Sequence, residues 1–528
     1  MWKLTTATDS GARIALRGWS ARLRVQEVPG KVVAVVMKSI DEFADQLVLP
    51  LINGVLSESE DTATVGVVNP SSGQRFLSIP AGCSGDIDRA VYSARTTFEA
   101  GSWSIAPPSF RKRTLHRLAE AISSNAATFD ALDAGEMGKP VKEAYANTDS
   151  AAGLMHFYAE AVDKLTGDVF SSDKNSFVTH RRVPRGVVAA VVPWNFPTSN
   201  AVLKIAPALA AGNCVVLKPS ELASRSAIHL AQLALESGLP PGVLNVVPGL
   251  GETVGRALGL HPDVDMVAFT GSTAVGKQML KYAGESNMKK VLAECGGKAP
   301  HVVFADIANL DAVADSIAQM LITNQGQICA VGSRLIVERS IEDQLLERIV
   351  PRVKSVIIGD ALDSKTTFGP LASEGQCARV MHYIEVGQAE GATLVTGGQR
   401  ALPDSGGYFV EPTIFRNVVP TSRIAQEEIF GPVLSVIPFD DEAEAIRLVN
   451  GTIYGLVAYA WTTDFSRAMR LMKGIRSSIL INAAPPSGEG AGYAFSGEPH
   501  GQSGLGTEGG MPGLESYTRR QLAWINHA

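Results

Sequence analysis

The chain has 528 residues, 45% of them hydrophobic, which is too much sequence for one simple core and calls for two or three domains. Its 47 basic and 53 acidic residues leave a net charge of −6, which offers no electrostatic footprint for nucleic acid or another polyanion. The five cysteines are odd in number and scattered, which excludes a disulfide framework and points to a reducing compartment, the cytoplasm; the nine histidines follow no metal-ligand spacing.

Residues 11–24 hold Arg13, Arg17, Arg22 and Arg24 without an acidic residue, a bias shared with organelle transit peptides. The alternative is an unstructured start, with residues 1–47 an extension and Met37 a natural beginning. Apolar positions at three- and four-residue spacing then predict helices over 86–99 and 109–135. Segment 175–184 reads as an extended ribbon. From Gly186 the pattern becomes short apolar runs, 187–192, 214–217, 244–247 and 266–269, separated by helical stretches such as 225–237 and 252–258. Strands alternating with helices imply βαβ units and a parallel sheet covered on both faces. A second α/β region follows from Ala299, with strands expected at 301–304, 333–337 and 433–437. Residues 484–514, rich in Gly, Pro and Ser, read as a long loop of the kind that is usually functional or mobile. No apolar stretch is long enough to span a bilayer, so a soluble protein with no membrane partner is expected.

The chemistry concentrates in two stretches. Asn324-Gln325-Gly326-Gln327-Ile328-Cys329 offers a thiol, and Leu292-Ala293-Glu294-Cys295-Gly296-Gly297-Lys298 a carboxylate. A thiolate is the form that attacks a carbonyl, and a nearby carboxylate can activate the water that later releases the acyl group. Leu217-Lys218-Pro219-Ser220-Glu221 ends a predicted strand, where open parallel sheets bind their ligands. Gly271-Ser272-Thr273-Ala274-Val275-Gly276-Lys277 is nearly a phosphate-binding loop, but Gln278 stands where Ser or Thr would hold magnesium. A Gly-Ser-Thr turn opening a helix still presents backbone N–H groups to a pyrophosphate.

Together with Pro193-Trp194-Asn195-Phe196-Pro197, Phe269-Thr270-Gly271-Ser272-Thr273 and Glu428-Ile429-Phe430-Gly431-Pro432, these stretches resemble the aldehyde dehydrogenase superfamily, in its order, from about Leu51 to about Tyr517. The resemblance implies a doubly wound cofactor domain (48–164 and 186–296), an α/β catalytic domain (297–497) and an oligomerisation arm with C-terminal tail (165–185 and 498–528) in a homodimer or homotetramer. It implies that Cys329 is the nucleophile, that Asn195 and the Cys329 backbone N–H hold the oxyanion, and that Glu294 activates the hydrolytic water. Lys204 and Glu508 match positions that relay protons from Glu294. Members that acylate coenzyme A lack the glutamate, so a free acid is the expected product.

The resemblance also implies NAD as cofactor. Lys218, Ser220 and Glu221 would meet the adenosine ribose, where a carboxylate disfavours the 2′-phosphate of NADP. Gly251, Thr270, Gly271, Ser272 and Val275 would contact the dinucleotide, with Ser272 at the turn. Val192, Pro193, Trp194 and Phe269 would line its cleft; Glu428 would reach the nicotinamide ribose, and Phe430 would pack near the nicotinamide. Cys295 is read as a small apolar filler beside Glu294 that also touches the cofactor. No metal is expected.

The chain departs from the family before Gln502-Ser503-Gly504, where Gly497-Glu498-Pro499-His500-Gly501 follows an unusual Ala483-Ala484-Pro485-Pro486 in a region that usually lines the substrate tunnel. Residues 158–164 and 283–289 are similar to bacterial gamma-glutamyl-aminobutyraldehyde dehydrogenases, which makes that compound and other omega-amino aldehydes the leading candidates among small aliphatic and aromatic aldehydes. Glu489 or Glu498 would meet a cationic amine if the loop folds inward. Two other classes stand beside this reading: a cofactor-independent thioesterase using Cys329 and Glu294, and a non-catalytic binding protein, whose signature would be loss of Cys329, Glu294 or Asn195.

Overall fold

The computed structural model describes residues 24–28, 31–35, 47–143, 146–483 and 497–527. Residues 1–44 and 45–528 form separate units. Within the first, Arg24–Val28 and Lys31–Val35 pair as an antiparallel hairpin, where an unstructured extension is one of the expectations; valines flanking Pro29-Gly30 in the sequence are the signal for it.

The second unit is built on two sheets. In the first, β1 (Val187–Val191), β2 (Cys214–Lys218), β3 (Leu244–Val246), β4 (Met266–Thr270) and β5 (Lys290–Glu294) run parallel in the order β5-β4-β1-β2-β3. Helices α1 (Pro197–Ala210), α2 (Arg225–Glu236) and α3 (Thr273–Glu285) connect them. All five residues of β1 and all five of β2 are buried, as a sheet covered on both faces demands. Each valine so buried contributes roughly 1.5–3 kcal/mol relative to exposure. The chain steps one way along the sheet from β1 to β3 and then returns to the other side of β1 for β4. The crevice beyond the carboxyl ends of β1 and β4 is therefore a topological switch point, the place where such sheets bind ligands. The second sheet has seven strands, with β6 (Pro300–Val303), β7 (Arg334–Glu338) and β8 (Val433–Phe439) parallel near its centre.

The helix expected over 109–135 is two helices, Pro108–Ser124 and Ala126–Met137. Asn125 separates them because its side-chain Nδ2 donates to the Ala121 carbonyl at 2.8 Å, a bond that competes with continued helix. The expected helix over 252–258 begins as a wide turn, Gly251–Gly255, and becomes regular only at Arg256–Leu260. Segment 484–514 is not wholly a loop, since Gly510–Ser516 is helical; its glycines and Pro512 hide it from propensity, and burial of Leu514 holds it in place. The ribbon Ser176–Pro184 pairs antiparallel with Thr518–Asn526 along its whole length and with Asp168–Phe170 on its other edge. Among the described residues, no helix is long and apolar enough to cross a membrane.

Candidate active site

The switch-point crevice opens into a cavity of about 590 Å³. Pro193, Trp194 and Asn195, leaving β1, form one side, and Thr270, Gly271 and Ser272, leaving β4, form another. Pro197 occupies the first turn of α1, which fixes where the helix starts and leaves Asn195-Phe196 as the turn between strand and helix. Ser272 caps α3 by accepting from the Val275 N–H at 3.3 Å. Thr270 Oγ1 is buried without a protein partner at the crevice wall, as a group reserved for a ligand would be. Lys277, the lysine of the near phosphate loop, donates to Gln502 Oε1 at 2.8 Å and is thereby held on the C-terminal segment.

Cys329 enters the cavity from a strained turn. Asn324, Gln325 and Gly326 have φ of 46°, 55° and 68°, three consecutive left-handed residues of which only the glycine is free of steric cost. The strain is held by bonds: Asn324 Nδ2 donates to the Asn195 carbonyl at 2.8 Å, and Gln327 Oε1 accepts from the Ala372 N–H at 3.0 Å. Asn195 Nδ2 in turn donates to the Gln327 carbonyl at 2.9 Å. Burial, with the Glu428 and Glu294 carboxylates nearby, pushes the Cys329 thiol up to about 12 against the pull of the Ala330 and Cys329 backbone N–H groups. The cysteine thus rests as a neutral thiol, where sequence reasoning emphasises the thiolate, and its proton must leave during attack.

The two glycines after Cys295 are required by close approach. A Cβ on Gly297 would lie 2.2 Å from the Cys329 carbonyl oxygen, and one on Gly296 would lie 2.5 Å from Glu428 Oε2. Their absence lets Glu428 Oε1 accept from the Gly297 N–H at 2.9 Å. Phe430, at φ 60°, meets Trp194 edge to face with centroids 5.4 Å apart; it is cavity wall rather than core. Its unusual backbone is clamped from α4 (Glu374–Ala389): Gln376 Nε2 donates to the Phe430 carbonyl at 2.6 Å, and Arg379 donates to the carbonyls of Glu428 and Ile429.

Glu294 ends β5, in register with Thr270. Burial and the neighbouring Glu508 carboxylate raise its carboxyl from 4.5 to about 8, opposed by Lys204. Lys204, wholly buried, is ion-paired with Glu508 and donates to the Phe269 carbonyl at 3.4 Å. Glu294, Lys204 and Glu508 therefore share one electrostatic neighbourhood. At the end of β2, Lys218 is buried and donates to the Pro219 carbonyl at 2.9 Å and to Glu221 Oε2 at 3.4 Å, while Glu221 stays partly exposed. Cys295 is buried, with its sulfur against the face of Gly276, and lines the cavity as well.

Of the residues expected in the site, Pro193, Trp194, Asn195, Thr270, Gly271, Ser272, Cys295, Cys329, Glu428 and Phe430 share this cavity wall. Val192, Lys218, Ser220, Glu221, Gly251, Phe269, Val275, Glu294, Lys204 and Glu508 are not part of that wall. Sequence reasoning missed Ser199, Asn200 and Leu203 on α1, and Ser150, Ala151 and Leu154 on helix Thr148–Ala161. Their three- and four-residue spacing was the available signal. It also missed Ser503, whose hydroxyl donates to the Gly296 carbonyl at 2.7 Å. Residues 484–496, including Glu489, lie outside the described residues, and Glu498 is exposed and absent from the cavity wall. Among the described residues, the charged side chains of that wall are Arg379 and Glu428, and no cluster could hold a metal ion.

The aldehyde dehydrogenase family model matches residues 56–523, and the chain belongs to that family: it is an oxidoreductase that acts on aldehydes with a nicotinamide dinucleotide, NAD or NADP. It is 41% identical, over 90% of its length and 95% of the relative's, to the NADP/NAD-dependent aldehyde dehydrogenase PuuC of Escherichia coli. An indole-3-acetaldehyde dehydrogenase solved with NAD+ superposes with a TM-score of 0.87 at 42% identity, covering 90% of this chain and 96% of that one. The gamma-glutamyl-gamma-aminobutyraldehyde dehydrogenase of Burkholderia cenocepacia gives the same TM-score of 0.87 at 40% identity, covering 91% and 97%.

Proposed function

We propose that this protein oxidises an aldehyde to the free carboxylic acid, with Cys329 as nucleophile, Glu294 as the base for hydrolysis and NAD as the preferred cofactor. The observation that supports this most strongly is the convergence of Cys329, held by a strained turn, and Asn195 on a cavity at the sheet's switch point. The crevice fits a dinucleotide: α3 points its N-terminus there, Thr270 leaves a hydroxyl unpartnered, and Lys218 with Glu221 closes the end of β2. The bound dinucleotide supplies the hydride acceptor.

In this reading the Cys329 sulfur gives up its proton to solvent and attacks the aldehyde carbon, and the carbonyl π electrons pass to the oxygen. The oxygen of the resulting thiohemiacetal takes hydrogen bonds from the free N–H of Asn195 Nδ2 and from the Cys329 backbone, each such donor giving roughly 10²–10³ in rate. Loss of hydride leaves a thioester on Cys329. Glu294 then removes a proton from the attacking water, and the Lys204–Glu508 pair carries the charge change as the acid leaves.

NAD preference rests on Glu221, whose carboxylate beside Lys218 would meet the adenosine ribose and disfavour a 2′-phosphate, although PuuC by its name takes both cofactors. Relatives named for amino aldehydes support gamma-glutamyl-aminobutyraldehyde or another omega-amino aldehyde as substrate. The neutral polar side chains Ser150 and Ser199 would meet its amide or amine, since no carboxylate is described on that part of the wall. Comparing kcat/KM for an amino aldehyde and a neutral aldehyde of equal length tests this, and a consistent preference for the neutral compound sinks it. The cofactor, catalytic and arm domains are proposed with the bounds that the resemblance implies, and the scattered free cysteines fit the cytoplasm. The arm sheet exposes Phe170, Phe177, Trp524 and Ile525, which fits a homodimer or homotetramer.

Replacing Cys329 with Ala tests the mechanism. NADH formation and any ester hydrolysis should both vanish while NAD still binds. Wild-type turnover in that variant, or ester hydrolysis by the wild type with no aldehyde oxidation at all, would overturn it.

A further inference from the structure

Asn200 lies on α1 five residues beyond Asn195, in the cavity wall, and no part of the reading above uses it as a catalytic element. Its Nδ2 donates to Asn195 Oδ1 at 3.2 Å. Asn195 Nδ2 donates to the Gln327 carbonyl at 2.9 Å. The Asn195 amide is therefore gripped at both ends: its oxygen by a donor from the helix, its nitrogen by an acceptor two residues before Cys329. The grip on the nitrogen consumes one of its two N–H groups and leaves one. With the backbone of Asn195 also fixed by Asn324 Nδ2 at 2.8 Å, the only orientation compatible with all three bonds keeps the amide nitrogen on the side of the cysteine turn.

We infer that Asn200 is a positioning residue for the oxyanion donor: it holds the Asn195 amide in the orientation that presents its remaining N–H, and it polarises that amide by donating to its oxygen. This rests on the reading of Asn195 as an oxyanion donor. The chemistry is that of a short amide relay, in which a donor on the carbonyl side strengthens the N–H on the other side. Asn200 also borders the aldehyde space, so substrate packed against it bears directly on the oxyanion group.

Asn200→Asp tests the inference, because it keeps size and shape, removes the donor and sets an oxygen against Asn195 Oδ1. Asn200→Leu, which removes both polar atoms without placing like against like, is the second variant and carries the test if the first does not fold by its thermal midpoint. The readout is the rate of the NADH burst in the first turnover, with NAD affinity measured separately by quenching of protein fluorescence. Asn200→Asp should slow the burst about 10- to 100-fold, the scale of a misplaced catalytic group, with aldehyde KM and NAD affinity little changed; Asn200→Leu should slow it less. In an Asn195→Ala background, where the burst is already slow, neither change should slow it further. A wild-type burst in both Asn200 variants, or losses that multiply with that of Asn195→Ala, overturns the inference while leaving the oxyanion reading intact. A wild-type burst in Asn195→Ala alone removes that reading, and the inference with it. A role in shaping the tunnel only would instead change KM with aldehyde size and leave the isosteric Asn200→Asp unaffected.

Discussion

Glu294 is a weak acid made weaker by its surroundings, and the pH dependence of turnover should report this. Its carboxyl is raised from 4.5 to about 8 by burial first and by the Glu508 carboxylate second, with Lys204 opposing. Only the ionised form accepts a proton from water, so at pH 7 a minority of the enzyme carries an active base, and turnover limited by deacylation should climb with pH to a midpoint near 8. Glu508→Gln removes the like charge and leaves Lys204 facing Glu294, which should move the midpoint down by roughly one pH unit. The same change interrupts the Lys204–Glu508 pair, so the alkaline plateau should fall even as the midpoint moves to lower pH. The assay is kcat against pH from 6 to 9.5 at saturating NAD and aldehyde, alongside the NADH burst, which precedes hydrolysis and should not share the shift. A flat profile through pH 8, or a midpoint that stays put or rises in Glu508→Gln, would refute the electrostatic argument. The linkage runs the other way for the fold. A carboxyl that holds its proton more tightly when folded is most stabilising at low pH, and stability attributable to Glu294 is lost as pH rises from about 4.5 through about 8.

Glu294→Gln should cut steady-state turnover by about 10²–10⁴ while one burst of NADH per site survives, and an unchanged steady-state rate at neutral pH would contradict the assignment. The wild type should prefer NAD over NADP by kcat/KM, and Glu221→Gln should narrow the gap; equal use of both cofactors by the wild type would show that Glu221 does not meet the ribose. Trp524→Glu, on the exposed face of the arm sheet, should lower the mass seen by light scattering, and an unaltered mass would place the subunit contact elsewhere.

Much of this protein was legible in one dimension. The all-apolar runs at 187–191 and 214–218 announce buried parallel strands, because a strand covered on both faces has no polar side to show. The motifs around Asn195, Glu294, Cys329 and Glu428 are likewise local strings, and the family resemblance they carry singles them out; Asn195, Cys329 and Glu428 line the cavity, and Glu294 adjoins Cys295, which does too. Missed were the helix Gly510–Ser516, where glycine and proline mask the period, and the tunnel positions on α1, where a period of 3.6 was present but had no site to point to. Only the tertiary structure decides the adjacencies. The sheet order β5-β4-β1-β2-β3 opens the crevice between strands that are not neighbours in the chain. Glu428 reaches the Gly297 N–H across 131 residues because two glycines leave room for it, and Lys204 meets Glu508 across 304. The charge states follow from the same fact. The types of Cys329 and Glu294 are written in the sequence, but a thiol pushed from about 9 up to about 12 and a carboxyl raised to about 8 come chiefly from the loss of water around them, which exists only once distant segments have closed over the site.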